Sequence, residues 1–238
     1  QPIGGSRLNL SAMWYWFFKF IGLGPAAWFW LRLRWSGREH LPRSGPVILA
    51  ANHVSFLDPI GVSMGVPRKV VYVAKTKYYS GRSLGGRFLA WFLRAIGQLP
   101  IDPESASTAN PAIETARRLL TDGGVVAIFP EGTRSPDGRL YRGRTGVARL
   151  ALPSRVPVIP VGIVGSREAL QALPRRSRGI RIIYGAPVDL SPWYDRADDP
   201  DAWREATDLL LARIAALTGQ EYVDRYPTAD EIGKRDSA

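Results

Sequence analysis

Apolar positions along the chain follow two rhythms. Mostly apolar runs occupy 45–51, 69–74, 125–129, 158–164 and 180–184, with a shorter one at 99–101; Lys69 opens the second and Arg181 interrupts the last. Their length and flanking Gly, Pro and charged residues predict buried strands. Elsewhere the apolar spacing becomes three and four. Leu84, Phe88, Leu89, Trp91, Phe92 and Ile96 predict an amphipathic helix over 83–96. Ile113, Ala116, Leu119 and Leu120 form the stripe of another, opened by Asn110-Pro111 and ended by Gly123-Gly124. Shorter helices are expected over 144–152 and 167–173. A long one is expected over 200–217, with Trp203, Leu210, Leu211, Ile214 and Leu217 inward and Gly219 as its stop. Beyond Tyr226-Pro227 the tail is polar and expected to be loose. There is no internal repeat. Strands alternating with helices predict one α/β domain with a mostly parallel central sheet flanked by helices.

The front of the chain fits neither rhythm. Residues 14–33 hold four of the eight tryptophans, at Trp14, Trp16, Trp28 and Trp30, with Phe17 and Phe18 between them. A bilayer span needs about 20 mostly apolar residues. Here Lys19 interrupts the run, Gly22, Gly24 and Pro25 break it, and Arg32 and Arg34 close it. No small-residue cleavage site follows, as a signal peptide would require. Trp and Tyr favour the membrane–water interface, where Lys and Arg reach toward headgroups. Two short helices meeting at 22–25 are therefore expected to lie in one leaflet, as an N-terminal membrane-interfacial hairpin. A hairpin packed into the core and a re-entrant span are the alternatives. The expected division is 1–34 for this hairpin and 35–238 for the α/β domain.

Charge narrows the partners. The 238 residues carry 32 Lys+Arg against 21 Asp+Glu, a net charge of +11. Such a chain meets something anionic: nucleic acid, a membrane surface or a phosphorylated substrate. The arginines are scattered, and no zinc finger, RRM or KH fingerprint appears, so no nucleic-acid partner is expected. An anionic membrane surface is, with residence at the cytoplasmic face of the cell membrane as a peripheral or monotopic protein. With no cysteine and only two histidines, cysteine nucleophiles, disulfides and a Cys- or His-built metal site drop out. No cofactor and no metal are expected.

The candidate chemistry sits after two of the strands. The run 45–51 delivers Asn52-His53-Val54-Ser55-Phe56-Leu57-Asp58. A histidine there can take a proton near neutral pH, and an aspartate five residues on can fix its tautomer. The run 125–129 delivers Pro130-Glu131-Gly132-Thr133-Arg134-Ser135. This loop offers a glycine for close backbone approach, two hydroxyls, and a guanidinium suited to phosphate. In an α/β sheet both loops fall at the carboxyl edge, where ligands bind.

These residues resemble the glycerolipid acyltransferases, the family that includes 1-acyl-sn-glycerol-3-phosphate acyltransferase. The segments 52–58 and 129–135 are similar to two of its motifs. Gly97-Gln-Leu-Pro-Ile-Asp102 and Val156-Pro-Val-Ile-Pro-Val161 are similar to the other two, in family order across roughly 40–190. One departure is Pro103, where the family often has a basic residue. The resemblance implies transfer of a fatty acyl group from acyl-CoA or acyl carrier protein to the sn-2 hydroxyl of lysophosphatidic acid, giving phosphatidic acid. His53 would be the general base and Asp58 its support. Glu131, Gly132, Thr133, Arg134 and Ser135 would line the acceptor pocket, with Lys75 as a further phosphate contact. Arg142 and Arg144 are candidates to offset Pro103. Another lysophospholipid or glycolipid acceptor, a non-catalytic lipid-binding protein and a thioester hydrolase remain the alternatives, and Ser55 is an alternative nucleophile.

Overall fold

The computed structural model describes residues 13–17, 19–75, 87, 99–101, 111–172 and 179–237. Helical residues 13–17 and 19–20 are followed by α1 (Leu23–Leu31), β1 (Arg34–Ser36), β2 (Val47–Ala51), α2 (Asp58–Gly65), β3 (Val70–Lys75) and β4 (Leu99–Ile101). Then come α3 (Pro111–Thr121), β5 (Val125–Ile128), β6 (Leu140–Tyr141), α4 (Gly146–Ser154), β7 (Val158–Val164), α5 (Ser166–Gln171) and β8 (Arg181–Tyr184). The chain ends with α6 (Pro200–Thr218), β9 (Tyr222–Val223) and α7 (Ala229–Ser237).

Seven strands form one sheet in the order β1-β8-β7-β2-β5-β3-β4, and β6 and β9 form a separate pair. The five strands from β7 to β4 run parallel. β8 pairs antiparallel to β7, and β1 lies parallel to β8 at the edge. The expected mostly parallel α/β domain is thus what the chain forms. β2 sits between β7 and β5, so the two motif-bearing loops leave neighbouring strands at the same carboxyl edge.

Alternate residues of the central strands serve two cores. Val47, Leu49, Ala51, Val125, Ala127, Ile159 and Val161 pack with Leu57 and Val62 beside α2, and with Leu31 and Leu33. Ile48, Ala50, Val126 and Val158 pack with α3, α4 and α6 through Leu120, Leu150, Leu210 and Ile214. Burial on both faces explains why these strands read as unbroken apolar runs.

The structure departs from the expectations in places. The tail is not loose: 229–237 is helical. The amide of Glu231 is donated to Thr228 Oγ1 and the Thr228 amide to Glu231 Oε2, a reciprocal capping box that needs no apolar stripe. The front break falls at 21–22, and Gly24 and Pro25 lie in the first turn of α1. The expected helix over 83–96 lies outside the described residues, apart from helical Arg87. Asn110, Asp102 and Pro103 also lie outside them. No described helix is long and apolar enough to cross a membrane.

Candidate active site

β2 delivers the first loop. Asn52, fully buried, pairs with the backbone of β7: its Nδ2 donates to Ile163 O at 2.9 Å and its Oδ1 accepts the Ile163 amide at 2.7 Å. This rung extends the ladder one residue past β2 and fixes where the loop begins. Asn52 Nδ2 also donates to Gln220 Oε1, and Gln220 Nε2 donates to Gly138 O. The segment after α6 thereby braces the sheet edge. No pattern in the sequence marks Gln220 for this.

Next comes the histidine. His53 Nδ1 lies 2.8 Å from Asp58 Oδ2, and the amides of Val54 and Ser55 donate to the same oxygen at 2.7 and 2.8 Å. Asp58 is buried at the first position of α2, so the helix fixes the carboxylate and the carboxylate folds the loop around itself. A carboxylate at Nδ1 favours the tautomer with its hydrogen there, in which Nε2 is the acceptor. Ser55 is buried, and its Oγ accepts the Leu57 amide at 3.2 Å in a turn.

β5 delivers the second loop, and His53's own backbone binds the two together. Its amide donates to Glu131 Oε1 at 2.8 Å, and its carbonyl accepts the Ser135 amide at 2.7 Å. Glu131 is buried, and its other oxygen accepts the Tyr141 amide at 3.2 Å. Burial pushes its carboxyl up to about 8, against the two amide donors, which favour the ion. Buried Ser135 accepts the Gly138 amide on Oγ at 2.9 Å and so shapes the turn.

The cationic candidates are spread around this pair of loops. Arg134 and Thr133 are half-buried in the β5 loop. Gly132 has φ +69°, and a Cβ there would sit 2.9 Å from Arg144 Cδ. Glycine therefore serves both the turn and the passage of Arg144 across it. The Arg144 guanidinium lies over the Tyr226 ring at 5.4 Å, while Arg142 faces Asp224 at 3.4 Å. Lys75 closes β3 at the same sheet edge. Among the described residues there is no cluster of carboxylates and histidines that would hold a metal ion.

The front hairpin has two faces. Tyr15, Lys19 and Leu31 are buried. Tyr15 Oη accepts the Val70 amide, and Lys19 Nζ donates to Val66 O just past the end of α2. Burial, helped by the charge of Arg38, lowers the Lys19 ammonium to about 8. Trp14 and Trp16 are half-buried. Phe17, Trp28 and Trp30 are exposed, as are Phe20, Ile21 and Phe29. Phe18 lies outside the described residues.

With this geometry in hand, the chain can be placed among known proteins. Residues 32–164 match the Acyltransferase family model, more than half of the chain, and the chain belongs to that family. It is 29% identical to the 1-acyl-sn-glycerol-3-phosphate acyltransferase of Bacillus subtilis, covering 76% of this chain and 85% of that protein. It is 33% identical to the human 1-acyl-sn-glycerol-3-phosphate acyltransferase alpha over 55% of this chain, but that stretch is 45% of the human protein. The match to the chloroplastic enzyme BAT2 of Brassica napus, at 30% identity, likewise spans 46% of that protein. The fold is shared with the crystal structure of the 1-acyl-sn-glycerophosphate (LPA) acyltransferase of Thermotoga maritima, with a TM-score of 0.60 and 24% identity over 89% of this chain and 80% of that one.

Proposed function

We propose that this protein transfers a fatty acyl group from acyl-CoA or acyl carrier protein to the sn-2 hydroxyl of lysophosphatidic acid, at the surface of a membrane. The observation that carries the reading is the 2.8 Å pairing of His53 Nδ1 with a buried Asp58, which makes Nε2 the ring nitrogen that can act as a base. Nε2 takes the acceptor's hydroxyl proton as its oxygen attacks the thioester carbonyl. The C–O bond forms, the C–S bond breaks, and His53 returns the proton to the departing thiolate. Asp58 steadies the imidazolium in between. General-base help of this kind is typically worth about 10²–10⁴ in rate. No acyl-enzyme is needed, in keeping with a Ser55 hydroxyl committed to a turn.

The acceptor phosphate is assigned to Arg134 with Gly132 and Thr133, and to Lys75 and Arg144, while Ser135, buried and bonded to His53 O and the Gly138 amide, holds the loop. Glu131 ties the β5 loop to the His53 backbone. The names of the relatives support lysophosphatidic acid as acceptor. Residues 1–34 supply the membrane-interfacial part, through the exposed aromatic face, and 35–238 the acyltransferase domain. The net charge of +11 suits an anionic, cytoplasmic membrane surface.

The test is thiol release from palmitoyl-CoA by purified protein in detergent, with and without lysophosphatidic acid, alongside His53→Ala. Release that needs both the acceptor and His53 is expected. Release without acceptor would make the protein a thioesterase. Acceptor-dependent release that survives His53→Ala would remove the base.

A further inference from the structure

One hydrogen bond fixes the edge of the His53 imidazole, but a ring held only by its edge can still pivot about that bond. Its face is occupied as well. Phe129, the last residue before Pro130, stacks on it with ring centroids 4.0 Å apart and planes 16° from parallel. Phe129 also stacks on Tyr72, with ring centroids 5.7 Å apart and planes 16° from parallel. Tyr72 is buried in β3; its hydroxyl donates to Pro59 O at 2.9 Å and accepts from Ser63 Oγ at 3.2 Å. Pro59 and Ser63 belong to α2, whose first residue is Asp58. The helix that carries the carboxylate gripping the imidazole edge therefore also holds Tyr72, the ring stacked on Phe129.

We propose that Phe129 is a positioning residue for His53, fixing the imidazole plane and stabilising the imidazolium as it forms, with Tyr72 pressing Phe129 into place. This rests on the general-base reading of His53. An aromatic face carries negative quadrupole charge, so it attracts the imidazolium more than the neutral ring. An interaction stronger in the charged state than in the ground state lowers the barrier instead of merely tightening binding. Covering the imidazole also works the other way, because burial disfavours its charge. The His53 side chain keeps 18% of its exposure, which limits that penalty. Among the described residues, Asp58 from α2 bonds the His53 ring and Glu131 from the β5 loop bonds its backbone amide, and Tyr72 stacks on Phe129.

Phe129→Leu separates the two effects, since leucine keeps an apolar cover and removes the π face. Phe129→Tyr keeps the ring and serves as the rescue. In the thiol-release assay Phe129→Leu should lower kcat about three- to tenfold with the acceptor KM unchanged, and shift the acid limb of kcat/KM about half to one pH unit lower. Phe129→Tyr should match wild type in both. The direction is diagnostic: loss of cover alone would move the limb to higher pH. A readout independent of turnover comes from NMR of 15N-histidine protein, which has only His40 and His53 to distinguish. The His53 resonance, identified by its loss in His53→Ala, should titrate at lower pH in Phe129→Leu. A titration that stays put or moves up overturns the proposal. If wild type shows no acceptor-dependent release, the parent reading fails, and the titration still decides this one. Phe129→Met, unbranched and better able to fill an irregular gap, replaces Phe129→Leu if leucine prevents folding.

Discussion

Glu131 shows how a residue's neighbours separate two roles that its motif leaves open. A carboxylate in the β5 loop can touch a substrate or hold the loop. Here both oxygens accept backbone amides, from His53 and from Tyr141, and the residue is 2% exposed. Glu131→Gln should therefore lower kcat about ten- to a hundredfold with little change in the acceptor KM, because the amide side chain can satisfy only one of the two N–H donors and leaving a buried donor unpaired costs about 1–3 kcal/mol. A raised KM with kcat intact would return Glu131 to the substrate. The same substitution has a pH signature. Burial raises the carboxyl from 4.5 to about 8, so the folded state holds a proton that the unfolded state releases. That stabilisation is full below about pH 4.5 and is lost as pH rises through about 8. Thermal scans across this window should show wild type losing stability relative to Glu131→Gln as pH rises. A constant difference between the two proteins would mean that the amide donors already hold the ion.

At the scale of elements, the strands and the long helix were legible because burial writes itself into composition. β2, β5 and β7 lie in mid-sheet, both faces must be apolar, and the runs have no polar break. α6 is legible at both ends: Asp199 accepts the Asp201 amide, Pro200 takes the first turn, and Gly219 adopts φ 71° after the last. Asp199→Ala should lower stability by about 1 kcal/mol, roughly 2–4 °C in Tm for a domain of this size, and leave turnover unchanged. A larger loss, or lost activity, would mean that the cap also positions the segment carrying Gln220. Elements held by local bonds were harder to read. α7 has almost no apolar stripe, and its signal is Thr228-Ala-Asp-Glu231 alone. β1, β6 and β9 are two or three residues long and exist only through partners distant in sequence, Ile182 for Trp35 and Tyr222 for Leu140. The site was legible in the same uneven way. His53, Asp58 and the β5 loop stood out as chemistry, whereas the stack on Phe129 and the brace from Gln220 depend on where the sheet sets the rings and loops.

For the whole molecule, the open question is what the front hairpin is for, and its two faces frame the answer. A hairpin serving only as core would expose little. One lying free in a leaflet would not bury a lysine against the end of the helix that begins with Asp58. This hairpin has both properties: Lys19 and Tyr15 tie it to Val66 and Val70, while Phe20 and Ile21, 60% and 71% exposed, point away with Trp28 and Phe29. Residues before 34 therefore cannot simply be cut away, since Leu31 and Leu33 belong to the sheet's core. The informative change is on the outer face. Burying one large apolar side chain is worth about 1.5–3 kcal/mol. Phe20→Ser, Ile21→Ser and Trp28→Ser together should therefore weaken binding to vesicles containing phosphatidylglycerol at least about a hundredfold. The melting temperature should barely move, because none of the three is buried. Acyl transfer to a soluble short-chain acceptor should persist in the triple variant while transfer to vesicle-borne acceptor falls. Vesicle binding that survives all three changes would move the membrane contact off the hairpin and onto the arginines of the domain.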